Sequence, residues 1–341
     1  MILKEHESIF CFGIEIELLL ESPRKKHGTW EFLAKDLSQR LMAAGIRNHI
    51  HDSNTYTEWS IVREVTVQDP EGKNPYQYGI ELVSPVHTAS SLPILMTHLT
   101  KIFSVLSTVA ISIRTPRCSS HVHISRQPAL SPHELAALAK ATLYFERALD
   151  ALMPPERGPN ASHWAQSNRH ANNPALTGLT LAECLAKVDA VSFADTASLV
   201  ETMNLMSRES RYGMVRRKMA HFVRGKTYKW DFTGLLSSSP SLSRHDGGRA
   251  EDRGIEGTVE FRQPPGSRTA AEAAGWAMLG VAFVAGAIEI GAGLGVLGGG
   301  VVYEEGGSRE ELWQLLEKGR EALGWPDLQV LDGLFWSSKN E

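Results

Sequence analysis

The sequence predicts an α+β fold, a curved and mainly antiparallel sheet with helices packed on its convex face, built as one domain over residues 1–341. Three observations lead there. Period-two alternation recurs in several separate runs, 3.6-residue periodicity fills the stretches between them, and each strand-like run carries a carboxylate or histidine where valine would be expected. Side chains from separate strands can act together only if one sheet face presents them, so the acidic motifs belong on a shared concave face.

The first run, Phe12-Gly13-Ile14-Glu15-Ile16-Glu17-Leu18, places Glu15 and Glu17 on one strand face and Ile14, Ile16 and Leu18 on the other. Two carboxylates side by side repel. The pattern fits a solvated polar face, and equally a divalent cation held between the two acids. Gly28 to Gly45, with Trp30, Leu33, Ala34, Leu37, Leu41 and Met42 at helical spacing, reads as an amphipathic helix closed by a glycine. Two β-rich runs follow around a Pro/Gly/Asn loop: Trp59 to Val67, with Glu64 opposite the apolar residues, and Tyr78 to Pro85, interrupted by Glu81.

Pro93 to Leu106 is a second apolar-periodic helix. It leads to Cys118-Ser119-Ser120-His121-Val122-His123-Ile124-Ser125, where His121 and His123 share a face with Ser119 and Ser125 while Val122 and Ile124 point to the core. Such a pair serves either as packed histidines or as ligands for metal or phosphate. Ser131-Pro132-His133-Glu134 is a capping box, and the helix it starts is expected to run to Met153. Pro154 to Asn173 reads as loop, and Thr180 to Val188 as a further helix. Ser207 to Lys229 is strongly basic, a solvated face or a clamp for anionic substrate.

Residues 237–257 read as a mobile surface loop leading into Gly257-Thr258-Val259-Glu260-Phe261-Arg262-Gln263, where Glu260 and Arg262 share a face. An acid and an arginine two apart can act on one ligand. The apolar run from Ala270 holds 16 uncharged residues between Glu272 and Glu289. That is short of the roughly 20 a membrane-spanning helix needs, so a buried helix to about Ile290 is expected. A capped helix from Ser308 and a docked tail at Leu331 to Trp336 complete residues 270–341.

A net charge of −4 without a long basic run points away from nucleic acid. Cys11, Cys118 and Cys184 are widely spaced and odd in number, which suggests a reducing compartment, and the charged N-terminus lacks a signal-peptide core. A cytoplasmic protein acting on small molecules, without a membrane or nucleic-acid partner, is the expectation. Neither a P-loop, nor G-x-G-x-x-G after a strand, nor G-x-S-x-G occurs, which disfavours P-loop NTPase, dinucleotide and serine-hydrolase chemistry.

Taken in order, the five motifs around Glu15 and Glu17, Glu64, Glu81, His121 and His123, and Glu260 and Arg262 resemble the amidoligase family. Its members are carboxylate-amine ligases with the catalytic fold of glutamine synthetase and glutamate-cysteine ligase. The resemblance implies one metal on Glu15, His121 and Glu260, and another on Glu17, Glu64 and Glu81, with His123 and Arg262 facing nucleotide phosphates. It implies ATP and Mg²⁺, or Mn²⁺, as cofactors, and a small-molecule or peptide carboxylate and an amine as substrates. Phosphoryl transfer to the carboxylate would give an acyl phosphate that an amine attacks, with Arg262 on the transferring group and a carboxylate such as Glu64 near the chemistry. Two departures stand out: Glu64 replaces the family's usual aspartate, and Trp230-Asp231-Phe232 stands where Trp-Asn-Phe is more usual. A metal-dependent hydrolase using the same cluster, and a non-catalytic binding protein of this fold, are the rival readings.

Overall fold

The computed structural model describes residues 9–23, 26–51, 55–67, 74–113, 115–159, 165–170, 173–192, 195–204, 227–236, 257–293 and 304–335. In chain order the strands are β1 (Ile9–Glu21), β2 (Asn48–Ile50), β3 (Trp59–Arg63), β4 (Gln77–Val83), β5 (His87–Thr88), β6 (Ile111–Ile113), β7 (Ser120–Gln127), β8 (Trp230–Asp231) and β9 (Val259–Phe261). The helices are α1 (Trp30–Ala43), α2 (Leu92–Val109), α3 (Pro132–Tyr144), α4 (Glu146–Asp150), α5 (Leu181–Ser192), α6 (Thr196–Asn204), α7 (Ala270–Ile290), α8 (Arg309–Leu323) and α9 (Asp332–Phe335). The chain divides into an N-terminal unit, Cys11–Val122 with Pro264–Leu279 and Gln329–Glu341, and a central unit, Met1–Phe10 with His123–Gln263 and Gly280–Leu328.

In the N-terminal unit the strand order is β2-β3-β4-β1, with β5 and β6 also pairing β1 and the first residues of β7 following. The pairs of β1 with β4 and of β3 with β4 are antiparallel, but β2 lies parallel to β3. The sheet is therefore mixed rather than purely antiparallel, with β1–β4, β1–β5, β1–β6 and β3–β4 antiparallel and β2–β3 parallel. β2 ends at Ile50 and β3 begins at Trp59, a connection longer than the tight hairpin that would make the two strands antiparallel neighbours.

Alternation works as the residue pattern requires. Ile14, Ile16, Ile61, Ile80 and Leu82 are buried on the face opposite the acids. The α2 side lies there too, because Trp59 shares that face with Ile61 and its indole N–H donates to His98 of α2 over 3.3 Å. Helix α1 buries Trp30, Leu33, Ala34, Leu37 and Leu41 and packs on β2 and β3. Gly45 follows it at φ 80°, the left-handed region a glycine enters at no steric cost.

Strand β3 ends sooner than its composition suggests. Arg63 is its last residue, and Glu64 begins a turn instead of lying on the strand face, with its backbone N–H donating to the Gly79 carbonyl at 3.1 Å.

In the central unit the Ser131 and Glu134 capping box forms as read, but the helix it starts stops at Tyr144. Phe145, at φ −95° and ψ 7°, leaves the α region, and α4 resumes as a separate short helix. Phe145 is fully buried and edges against Tyr144 and Phe283, with ring centroids 4.9 and 6.2 Å away. Aromatic packing has overridden helical continuity. The Ser308 and Glu311 capping box on α8 also forms. Its Gly319 lies against Gly286 of α7, so closely that a Cβ on Gly319 would come within 1.9 Å of the Ala282 carbonyl oxygen.

Two helical stretches are long and apolar enough to cross a membrane among the described residues, Ala89–Val109 and Ala270–Ile290. The second has 83% of its apolar window buried within the protein, the outcome expected for a core helix. Leu331 and Phe335 are buried and dock the tail. Most of the basic run, residues 207–226, most of the expected loop, residues 237–256, and Trp336 lie outside the described residues.

Candidate metal centre

On β1 and β4 the register sets Glu17 directly opposite Glu81, and Glu15 opposite Val83. Opposed residues on antiparallel strands project from the same face with their Cβ atoms roughly 5 Å apart. Two carboxylates thus meet over the sheet. His121 of β7 joins them: one ligand atom from each of Glu17, Glu81 and His121 lies within 4.8 Å of the others.

Each side chain in this cluster is held by a neighbour. Glu17 is 7% exposed, and its Oε2 accepts the Ser119 backbone N–H and hydroxyl, both at 2.7 Å. Its Oε1 lies 3.9 Å from His121 Nε2. His121 Nδ1 lies 3.1 Å from Glu15 Oε2. Since a carboxylate only accepts, Nδ1 is the donor in that contact, and Nε2 is the nitrogen turned toward the Glu17 side. A carboxylate behind a histidine that turns its other nitrogen to a site is the second-layer arrangement metal-binding histidines use.

Three anionic or lone-pair donors gathered on a largely buried face are costly without a cation, so the residues present fit a hard divalent ion. Within this unit His121 groups with Glu17 and Glu81. Glu64 stands apart from that trio. Its carboxylate accepts from the Thr66 backbone N–H at 2.7 Å and hydroxyl at 2.5 Å, capping its own turn. Burial first, and then the Glu17 charge, push its pKa up, while Thr66 and His121 pull it down. Its field reaches the cluster even though one of its oxygens, Oε1, serves the turn.

The central unit gathers the other site residues. Glu260 on β9 is paired with Asp231 on β8, and Arg262 donates to the Glu260 carboxylate. His123 Nε2 lies 3.6 Å from Glu260 Oε1. Asp231, Glu260, Arg262 and His123 are all buried. Burial, with the neighbouring Glu260 charge next, raises the Asp231 pKa against the pull of Thr233 and Arg262. The short strand pair is anchored from one point: Asp150 Oδ1 accepts the Lys229 ammonium and the Gln263 amide, each at 2.6 Å, and the Lys229 carbonyl accepts the Arg262 backbone N–H at 2.8 Å.

With this geometry in place, the chain was compared with known protein families. Residues 8–171 match the family model described as putative amidoligase enzyme. The amidoligase match confirms the resemblance over just under half of the chain and takes in Glu15, Glu17, Glu64, Glu81, His121 and His123. The curated proteins contain no match to the chain. Ser119 was visible in the sequence only as a polar neighbour of His121; its grip on Glu17 depends on which strand lies beside β1. Lys229 showed in the sequence only as the end of the basic run, and its meeting with Asp150 and Gln263 gave no signal because the three come from distant segments.

Proposed function

We propose that the protein is an ATP-dependent carboxylate-amine ligase forming an amide through an acyl phosphate, with the glutamine synthetase type of catalytic fold. The amidoligase match supports the reaction class. The observation that carries the metal-dependent reading is the cross-strand pair Glu17 and Glu81 with His121 beside it.

In this reading Glu17, Glu81 and His121 hold Mg²⁺ or Mn²⁺, with Glu15 orienting His121 and available as a further ligand. Bound there, the ion would screen the negative charge of the ATP phosphates and of the group in transfer. Ser119 keeps one Glu17 oxygen turned away, so the carboxylate presents a defined edge. Arg262 contributes planar, permanently charged donors for phosphate oxygens, and Glu260 and His123 position it; Glu64 modulates the charge near Glu17. The acid substrate's carboxylate attacks the γ-phosphorus, ADP leaves, and an amine then displaces phosphate from the acyl carbon.

The test is ADP release from purified protein with ATP and MgCl₂ across a panel of acids and amines. Release that requires both an acid and an amine supports the ligase. Amide hydrolysis with Zn²⁺ or Mn²⁺ and no nucleotide binding would favour the metal hydrolase, and metal binding without either reaction the non-catalytic protein.

A further inference from the structure

A second chain of polar groups lies on the acid-bearing face of the N-terminal unit and takes no part in the cluster. Ser60 Oγ is 2.8 Å from His49 Nε2, and His49 Nδ1 is 3.0 Å from Glu58 Oε1. The carboxylate accepts, so Nδ1 donates to Glu58, and in the neutral imidazole Nε2 accepts from the Ser60 hydroxyl. Hydroxyl, imidazole and carboxylate are thus lined up as donor, base and orienting group. Arg47 is the other charged neighbour, with Nε 3.6 Å from Glu58 Oε2 and its side chain 83% exposed.

The sheet register locates this chain. His49 is in register with Ser60, Ser60 with Val83, and Val83 with Glu15, so these four side chains form one row across β2, β3, β4 and β1. The adjacent row is Val62, Glu81 and Glu17. Neighbouring strands are roughly 4.8 Å apart, which sets Ser60 about 10 Å from Glu15 along the face. Ser60 is 1% exposed, whereas the His49 and Glu58 side chains are 26% and 25% exposed. The row runs from a dry interior position to the rim.

We propose that Ser60, His49 and Glu58 form the proton relay of the amine half-reaction. The inference rests on the ligase reading, in which an incoming ammonium must lose a proton while the cluster carboxylates are engaged with the cation. One ammonium N–H proton passes to Ser60 Oγ as the Ser60 hydroxyl proton passes to His49 Nε2, which frees the nitrogen lone pair. That lone pair forms the C–N bond, the C–O bond to phosphate breaks with its electron pair leaving on phosphate, and the second N–H proton goes to the departing phosphate. Glu58 stabilises the imidazolium, which discharges its proton to water at the rim.

Hydroxylamine separates this step from the rest, because it is largely unprotonated at neutral pH and needs no base to become a nucleophile. Wild-type protein, His49→Gln and Ser60→Ala would be given ATP, MgCl₂ and a panel of dicarboxylic amino acids, with either methylamine or hydroxylamine. In both variants methylamide formation is expected to fall on the order of 100-fold, with hydroxamate formation within about twofold of wild type. Equal losses with both nucleophiles, or no loss with either, would overturn the relay. ¹⁵N NMR of His49 gives a reading independent of turnover: a proton resident on Nε2 in the resting protein would overturn the relay even if the ligase activity stands. If wild type forms no hydroxamate with any acid, the ligase reading fails first and the relay with it.

Discussion

Glu17 and Glu81 face each other directly across the β1 and β4 pair, two carboxylates in register on one sheet face. Directly opposed like charges destabilise a sheet, whereas favourable cross-strand pairs contribute roughly 0.2–1 kcal/mol. Glu81→Gln should therefore raise the melting temperature of metal-free protein by about a degree and remove most of the stabilisation that Mg²⁺ or Mn²⁺ confers. Thermal melts with and without metal check both signs. A lower metal-free melting temperature together with an unchanged metal response would show that the pair does not hold an ion.

Gly79 should tolerate no side chain. A Cβ there would lie 1.8 Å from the Glu64 carbonyl oxygen and 2.7 Å from Val67 Cγ2, and the first of these is backbone that cannot rotate away. The Gly79 carbonyl also accepts the Trp30 indole N–H at 3.2 Å, tying the strand to α1. Gly79→Ala is expected to cost at least about 1–3 kcal/mol and to displace the Glu64 turn. Chemical denaturation measures the loss; unchanged stability would mean that β4 and the Glu64 turn are less closely apposed than described.

Asp231 carries a pH signature. Burial and Glu260 raise its pKa above the ordinary 3.8, so the folded state favours its protonated form. Its contribution is complete at pH values below the unfolded value and declines as pH rises through the folded one. Asp231→Asn, which keeps the shape and has no charge to lose, should stabilise the protein at pH 8 and make little difference near pH 4. Melting temperatures of the two proteins across that range decide it; a constant offset at every pH would remove titration as the cause.

Arg262 is bonded to Glu260 in the resting protein, so a purely structural ion pair competes with a role on phosphate. Lysine keeps the charge and loses the planar fork. If Arg262 acts on the transferring group, Arg262→Lys should slow ADP formation roughly 10- to 100-fold while ATP affinity changes little. Full turnover with a lowered melting temperature would assign it to the strand alone.

What the sequence determined by itself were the properties that depend on neighbours along the chain. Period-two alternation alone put Glu15 and Glu17 on one face, and His121 and His123 on one face. The Ser131-to-Glu134 and Ser308-to-Glu311 spacings alone marked two helix starts, and the composition of Ala270 to Ile290 alone marked a core helix. The tertiary structure decided who meets whom. Register is a relation between strands, so that Glu17 opposes Glu81 while Glu15 opposes only Val83 follows from how β4 returns along β1. The same holds for β2: three residues long, it has too few alternations to show a period, and only its parallel pairing with β3 brings His49 to Ser60. Phe145 breaks a helix that local propensity would continue, and Glu64 leaves a strand that β-propensity would extend, because in each case packing against distant segments outweighs a preference worth less than about 1 kcal/mol per residue.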